Sequence, residues 1–259
     1  MPAPAGLNQF AFGAFRRRIR LVATADDVVE GGLEDDFHYF KVALRHDGEH
    51  VVAVDAEAVR WPWSTCPDAV EPLRALAGMP LSPRCLAAGN WAPPRRNCTH
   101  LFDLAGLAAA HAARVAGGGA PRRQYDVEIP FGAQFGGDHD VRLWRDGELL
   151  HTWTLGGRGC VRPAPFSEVT WRGGFLRWAD ETFPPEESEP VVVLRRACDI
   201  GRGRGMDLDA IDRAEELRDQ QGGICYTMQP EVITVALRNK GSIRDWHDHP
   251  DDLLGHGPD

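Results

Sequence analysis

The stretch FHYFKVALRHDGEHVVAVDAEAV, residues 37–59, decides the fold. Apolar and polar residues alternate through residues 37–45 and again through 50–59, and His46-Asp47-Gly48-Glu49 separates the two runs. Alternation with period two gives a strand one buried face. Asp-Gly between two such runs favours a tight hairpin. The stretch therefore reads as two antiparallel strands. Upstream, RRRIRLVATA at residues 16–25 alternates in the same way, and LEDD at 33–36 leads into the hairpin. Residues 1–15 are small, apolar and marked by Pro and Gly, and read as a loosely ordered lead-in.

Downstream, the second strand runs into Trp61-Pro62-Trp63-Ser64-Thr65-Cys66, followed by Pro67-Asp68. Proline just inside a start with an acid behind it predicts a helix over about 67–77, stopping at Gly78. Residues 79–94 read as loop. A second helix is expected from Cys98 to the stop at Gly117-Gly118-Gly119, with Leu101, Leu104, Ala105 and Ala108 as its apolar stripe. The segment GGGAPRR, residues 117–123, is the best boundary in the chain. Beyond it the period returns to two, with a strand at 125–130 and a hairpin of 141–144 and 149–155 around Asp146-Gly147. Helices are expected over 186–200, with Pro190 in its first turn, and over 207–221, capped by Asp207. Residues 224–228 and 232–238 read as strands, or as a strand and a short helix. The predicted class is α+β, with an antiparallel sheet and helices on one face over residues 16–120. A second, mostly β part with two helices follows over 121–259, and whether the two share one sheet stays open.

The 259 residues are 43% hydrophobic and 26% charged, which excludes disordered, coiled-coil and collagen-like readings. No apolar run reaches membrane-spanning length, and the N-terminus does not read as a signal peptide. A net charge of −9 argues against general nucleic-acid binding. Only Lys41 and Lys240 are lysines, so 27 of the 29 basic residues are arginines. A coding bias explains this, as would recognition of carboxylate or phosphate. The six cysteines, Cys66, Cys85, Cys98, Cys160, Cys198 and Cys225, suit a reduced cytoplasmic protein better than a disulfide scaffold.

Cys66 and Cys98 each open an expected helix, where the helix dipole biases a thiol toward thiolate, the form that binds metal or attacks an electrophile. His100 follows Cys98 by two residues, and Asp35, Asp36 and His38 lie just before the hairpin. His38, Cys66, Cys98 and His100 make a tetrahedral donor set for Zn²⁺, with iron as runner-up. Two buried helix-start cysteines and a satisfied histidine are the plain alternative. Asp35 or Asp36 would serve as general base, Trp61 and Trp63 as aromatic walls, and Arg60 as the anchor for a substrate carboxylate. Asp103 reads as a solvated or orienting carboxylate and His111 as a packed residue. The other four cysteines read as packing residues. No CxxC, HExxH or GxSxG occurs, and GRGRG at 201–205 lacks the lysine of a phosphate loop.

The runs WPWSTCPDAVEPLRALAGMPL, NCTHLFDLAGLAAAHA, LRRACDIGRGR, CYTMQP and ALRNKGSIRDW resemble an uncharacterised bacterial family of unknown function, over about residues 16–254. That resemblance implies a catabolic role in bacteria that degrade aromatic or steroid-like compounds. The order strand, turn, strand, Cys, helix, then a second Cys opening a helix, is similar over 33–116 to the iron–sulfur scaffold and sulfur-acceptor fold. That likeness places ligands at Asp36 or His38, at Cys66 and at Cys98, with His100 as an addition.

Three functions follow as expectations. The first is a metal-dependent hydrolase or lyase acting on a small carbonyl compound. The second is an iron–sulfur or sulfur-transfer scaffold. The third is a metal-free hydrolase with a cysteine nucleophile. The expected partner is a small-molecule substrate, with neither nucleic acid nor membrane, and a homo-oligomer is left open.

Overall fold

A computed structural model describes residues 12–130 and 137–255. Eight strands form an antiparallel sheet: β1 (Ala14–Ala25), β2 (Val28–Asp35), β3 (Tyr39–His46), β4 (Val51–Arg60), β5 (Arg122–Pro130), β6 (His139–Arg145), β7 (Glu148–Gly156) and β8 (Gly159–Arg162). Their order is β4-β3-β2-β1-β5-β6-β7-β8. The α-helices are α1 (Ala88–Trp91), α2 (Thr99–Ala116), α3 (Phe175–Thr182), α4 (Pro185–Gly201) and α5 (Arg218–Gln221). The expected α+β class, with its antiparallel sheet, is the class the chain adopts. No helix among the described residues is long and apolar enough to cross a membrane. The chain divides into two units. Of the described residues, the first unit holds 19–123 and 209–244, and the second holds 12–18, 124–208 and 245–255.

In the first unit the hairpin read from residues 37–59 forms with Lys41 opposite Glu57 and Leu44 opposite Val54. Phe40, Val42 and Leu44 are buried, as the alternation requires. Helix α2 lies on β2 and β3, and burial of Leu101, Leu104, Ala105 and Ala108 is complete. Strand β2 was not read from the sequence, because Gly31-Gly32 interrupts the pattern of a strand. A side chain at Gly31 would meet Val42 Cγ2 at 3.0 Å and Leu104 Cδ1 at 3.2 Å. The glycine thus marks the close approach of helix and sheet. The segment after Cys66 is a 3-10 helix, Pro67–Leu76, with Pro72 inside it.

The helix expected over 207–221 does not form. Short 3-10 turns occupy Leu208–Ala210 and Ala214–Leu217, and only Arg218–Gln221 is α-helical. Arg213 between them is extended and bridges Leu237, while Ala214 N donates to Ala236 O at 3.0 Å and Arg238 N to Asp212 O at 2.9 Å. Glu216 Oε1 accepts from the amides of Asp212 and Arg213 and caps the turn that follows. Tertiary pairing here overrides local helix propensity. Residues 224–228 and 232–238 are turns with isolated bridges instead of strands.

In the second unit β6 and β7 close through Asp146 (φ 53°) and Gly147 (φ 87°), the two positive-φ residues of a type I′ turn. Helix α4 begins at Pro185, so Pro190 sits beyond the first turn where it was expected. Proline there lacks the N–H that would bond the carbonyl four residues back. Arg145 Nη1 supplies a donor to that carbonyl, Glu186 O, at 3.1 Å. The core of this unit is aromatic, with Trp153, Phe166, Trp171 and Phe175 in edge-on and tilted contacts.

Gly106 on α2 faces the backbone of Cys85, where an added Cβ would stand 2.3 Å from the carbonyl oxygen. Alanine is ordinarily the better helix former by about 1 kcal/mol. Here the clash wins, and Gly106→Ala is expected to lower stability by about 1–3 kcal/mol in chemical denaturation. Burial, with Arg145 nearby, pulls His151 down from 6.5 to about 4. The unfolded chain therefore takes up the proton first, and stability falls as pH drops from 6.5 toward 4. His151→Phe should flatten that part of the pH–stability curve relative to the parent protein.

Candidate functional site

The site grows from the turn that joins β2 to β3. Asp35 ends β2, and its Oδ1 accepts the amides of Phe37 at 2.8 Å and His38 at 2.9 Å. Asp35 N donates to His38 O at 2.9 Å and closes the turn. The same Oδ1 meets His38 Nδ1 at 3.0 Å. A proton on Nδ1 satisfies that contact and leaves Nε2 as the nitrogen with a lone pair, the arrangement that orients a ligating histidine.

Arg60, at the end of β4, ties this turn down. Its Nη2 donates to Asp35 O at 2.5 Å, His38 O at 3.1 Å and Glu34 Oε1 at 3.1 Å. Its Nη1 donates to Asp36 O and Ser242 O, each at 3.0 Å. Arg244 N adds a second bond to Asp36 O at 2.8 Å.

Helix α2 presents His100 in its first turn. The imidazoles of His38 and His100 stack with centroids 3.7 Å apart and planes 29° from parallel, and Phe40 continues the stack 5.9 Å from His100. One donor atom from each of Asp35, His38 and His100 lies within 4.8 Å of the others. Cys98, the residue before α2, places its Sγ 4.0 Å from His100 Nδ1.

Cys66 is buried at the start of the 3-10 helix. Its Sγ is 3.7 Å from Thr227 Oγ1, which also meets Thr65 Oγ1 at 3.0 Å. Cys225 packs against the cluster that contains Cys66, Trp63 and Met228. Its segment is pinned beside Cys98, because Tyr226 N donates to Asn97 O at 2.9 Å and Gln229 Nε2 to Arg95 O at 2.7 Å. Charge on any one of the three thiols opposes charge on the others. Burial raises Cys66 to about 12, and it raises Cys98 well above its usual value of 9.0. Burial thus outweighs the helix-terminus effect expected from the sequence, and both side chains are neutral thiols at neutral pH.

The structure therefore joins His38 and His100 with Asp35, sets Cys98 beside His100, and leaves Cys66 outside that trio. Asp35 is engaged by two amides and by His38, which makes it an orienting carboxylate more than an unengaged base. Asp36 is buried, with its carbonyl held by Arg60 and Arg244. The remaining expectations need correction. Arg60 donates to four carbonyls and to Glu34, so it clamps the turn instead of holding a substrate. Trp63 is a core residue under the Arg238 guanidinium, 5.6 Å from its ring centroid, and Trp61 packs on the same cluster. Cys225 and Thr227 were missed as neighbours of the site. The one available signal was that Cys225 and Thr227 fall in the motif-like CYTMQP run, but with no ligand-type residue close by in sequence Cys225 read as a packing residue.

No protein-family model matches the chain, and no curated protein matches it. The resemblances drawn from the motifs stand on those motifs alone.

Arg60→Lys keeps the charge but not the fork, and it leaves buried carbonyls of the turn without donors. Each such loss costs about 1–3 kcal/mol. The variant is expected to lose at least about 2 kcal/mol in chemical denaturation. Hydrogen exchange should show faster exchange at the amides of Asp35, Phe37 and His38.

Proposed function

We propose that this chain is a metal-dependent enzyme, with zinc the first choice and iron the second, held by Asp35, His38 and His100. The observation that carries the reading is the gathering of these three donor atoms within 4.8 Å of one another, in a buried turn and at a helix start. Three protein donors, two of them imidazoles, is the number that leaves a catalytic zinc an open position. Bound there, the metal would polarise a carbonyl or acidify a water, the chemistry of a hydrolase or lyase acting on a small carbonyl compound. An aromatic or steroid-like substrate is the class that the family resemblance adds. A cytoplasmic setting with a small-molecule partner suits this reading, and the six cysteines all being free thiols agrees with it.

The residues have distinct tasks. Asp35 fixes the ring of His38 through Nδ1, and Arg60 fixes the carbonyls on both sides of Asp36. An imidazole lone pair lies in the plane of its ring, so stacked rings do not aim both lone pairs at one point. A cation shared by His38 and His100 requires the rings to turn out of their stack about their side-chain bonds. The alternative of a cysteine nucleophile finds less support, because burial holds the Cys98 thiol far from its ionised form.

In reduced, dialysed protein the Asp35, His38 and His100 group is expected to account for about one equivalent of zinc per chain by elemental analysis. His38→Asn and His100→Asn should each lose it while keeping a cooperative unfolding transition. Protein that carries no stoichiometric metal, even after incubation with zinc, would overturn the proposal.

A further inference from the structure

We propose that Cys66, Cys98 and Cys225 form a second, thiolate-rich site for a single thiophilic divalent cation, with His100 Nδ1 as the nearest fourth donor. The three cysteines come from separate segments of one unit that pack together: Cys225 packs on the cluster that holds Cys66, and its neighbour Tyr226 bonds to Asn97 beside Cys98. Cys66 precedes the 3-10 helix Pro67–Leu76, Cys98 precedes α2, and Cys225 lies in the turn pinned to Asn97. Cys66 and Cys98 are buried, and Cys225 is partly buried.

Two buried polar atoms at this place have no hydrogen-bond partner. Arg238 uses Nε for Asp209 and Nη1 for Pro62 O, but its Nη2 has no acceptor. Its side chain is only 1% exposed, and its charge favours ionisation of Cys66. Asn97, the residue before Cys98, has an unpartnered buried Oδ1. A buried guanidinium with an unused donor is costly beside three neutral thiols. It is well matched to a divalent cation bound by three thiolates, which carries net negative charge. Soft sulfur donors select zinc and other thiophilic cations over calcium or magnesium.

Among the described residues only Asp35, His38 and His100 bring three donor atoms within 4.8 Å of one another. The sulfurs stand wider and would be drawn in by side-chain rotation as the cation binds, each thiol releasing its proton to water. The proposal does not rest on the Asp35–His38–His100 reading, since its principal donors are different.

Cobalt(II) titrated into the reduced, full-length chain without oxygen separates the two sites, because only thiolate ligands give an intense near-ultraviolet charge-transfer band. The expected result is such a band saturating at about one equivalent and removed by zinc. Cys225→Ser and Cys66→Ser should each lower it by about a third, in proportion to the thiolates lost. Cys160→Ser, outside the trio, and His38→Asn should leave it unchanged. If Cys66→Ser does not fold, the parent spectrum and Cys225→Ser decide the matter. A cobalt spectrum without the charge-transfer band, or a band untouched by Cys225→Ser, would overturn the proposal.

Discussion

The Arg60 guanidinium is the constraint on which the candidate site depends. A three-residue connection between β2 and β3, Asp36 to His38, leaves several carbonyls in need of donors in a buried turn. Backbone oxygens in that position need donors, and no element of regular structure supplies them. One planar fork reaches Asp35 O, Asp36 O, His38 O and Ser242 O together, and Glu34 balances its charge at 3.1 Å. The turn then has one geometry, and Asp35 Oδ1 is fixed where it orients His38. Without the clamp, the stack of His38 on His100 would lose its support on one side.

Two effects compete at the cysteines, and their magnitudes differ. A helix terminus favours a nearby negative charge by about 0.3–1 kcal/mol. Raising Cys66 from 9.0 to about 12 corresponds to about 4 kcal/mol against the thiolate at 1.36 kcal/mol per unit. Desolvation therefore governs these thiols in the chain itself, and only a strong Lewis acid or a concentrated positive charge reverses it. Arg238, beside Cys66 and largely hidden from solvent, works in that direction but does not by itself overcome the burial.

Much of the fold was legible because its signals are local. The Asp-Gly turns, the period-two runs around them and the stripe of α2 each identify an element without reference to the rest of the chain. Strand β2 escaped because its glycines answer to Leu104 and Val42, which are distant in sequence. Residues 207–221 carried a convincing helical pattern, but Arg213 is held by Leu237 in an extended bridge that no local rule contains. The same distinction applies to the site. Asp35, Asp36 and His38 lay together in one stretch and Cys98 and His100 in another, and each set could be named from its own motif. The structural duty of Arg60 and the arrival of Cys225 depend on contacts across 24 residues for Arg60 to Asp36 and 161 for Cys66 to Thr227.

The two units are discontinuous along the chain, and this bears on how the protein is made. The first unit needs residues 209–244 in addition to 19–123, and the second needs residues 12–18 and 245–255 around 124–208. During synthesis, sheet strands and α2 emerge long before the segment that brings Cys225 and Arg238. Neither unit can complete its packing while the polypeptide is still short, although domains commonly fold in order as they leave the ribosome. A single cut, at any point, yields no fragment that contains one whole unit and nothing else. Partial chains would expose the apolar surfaces that the late segments cover, which makes the nascent protein a natural client for chaperones.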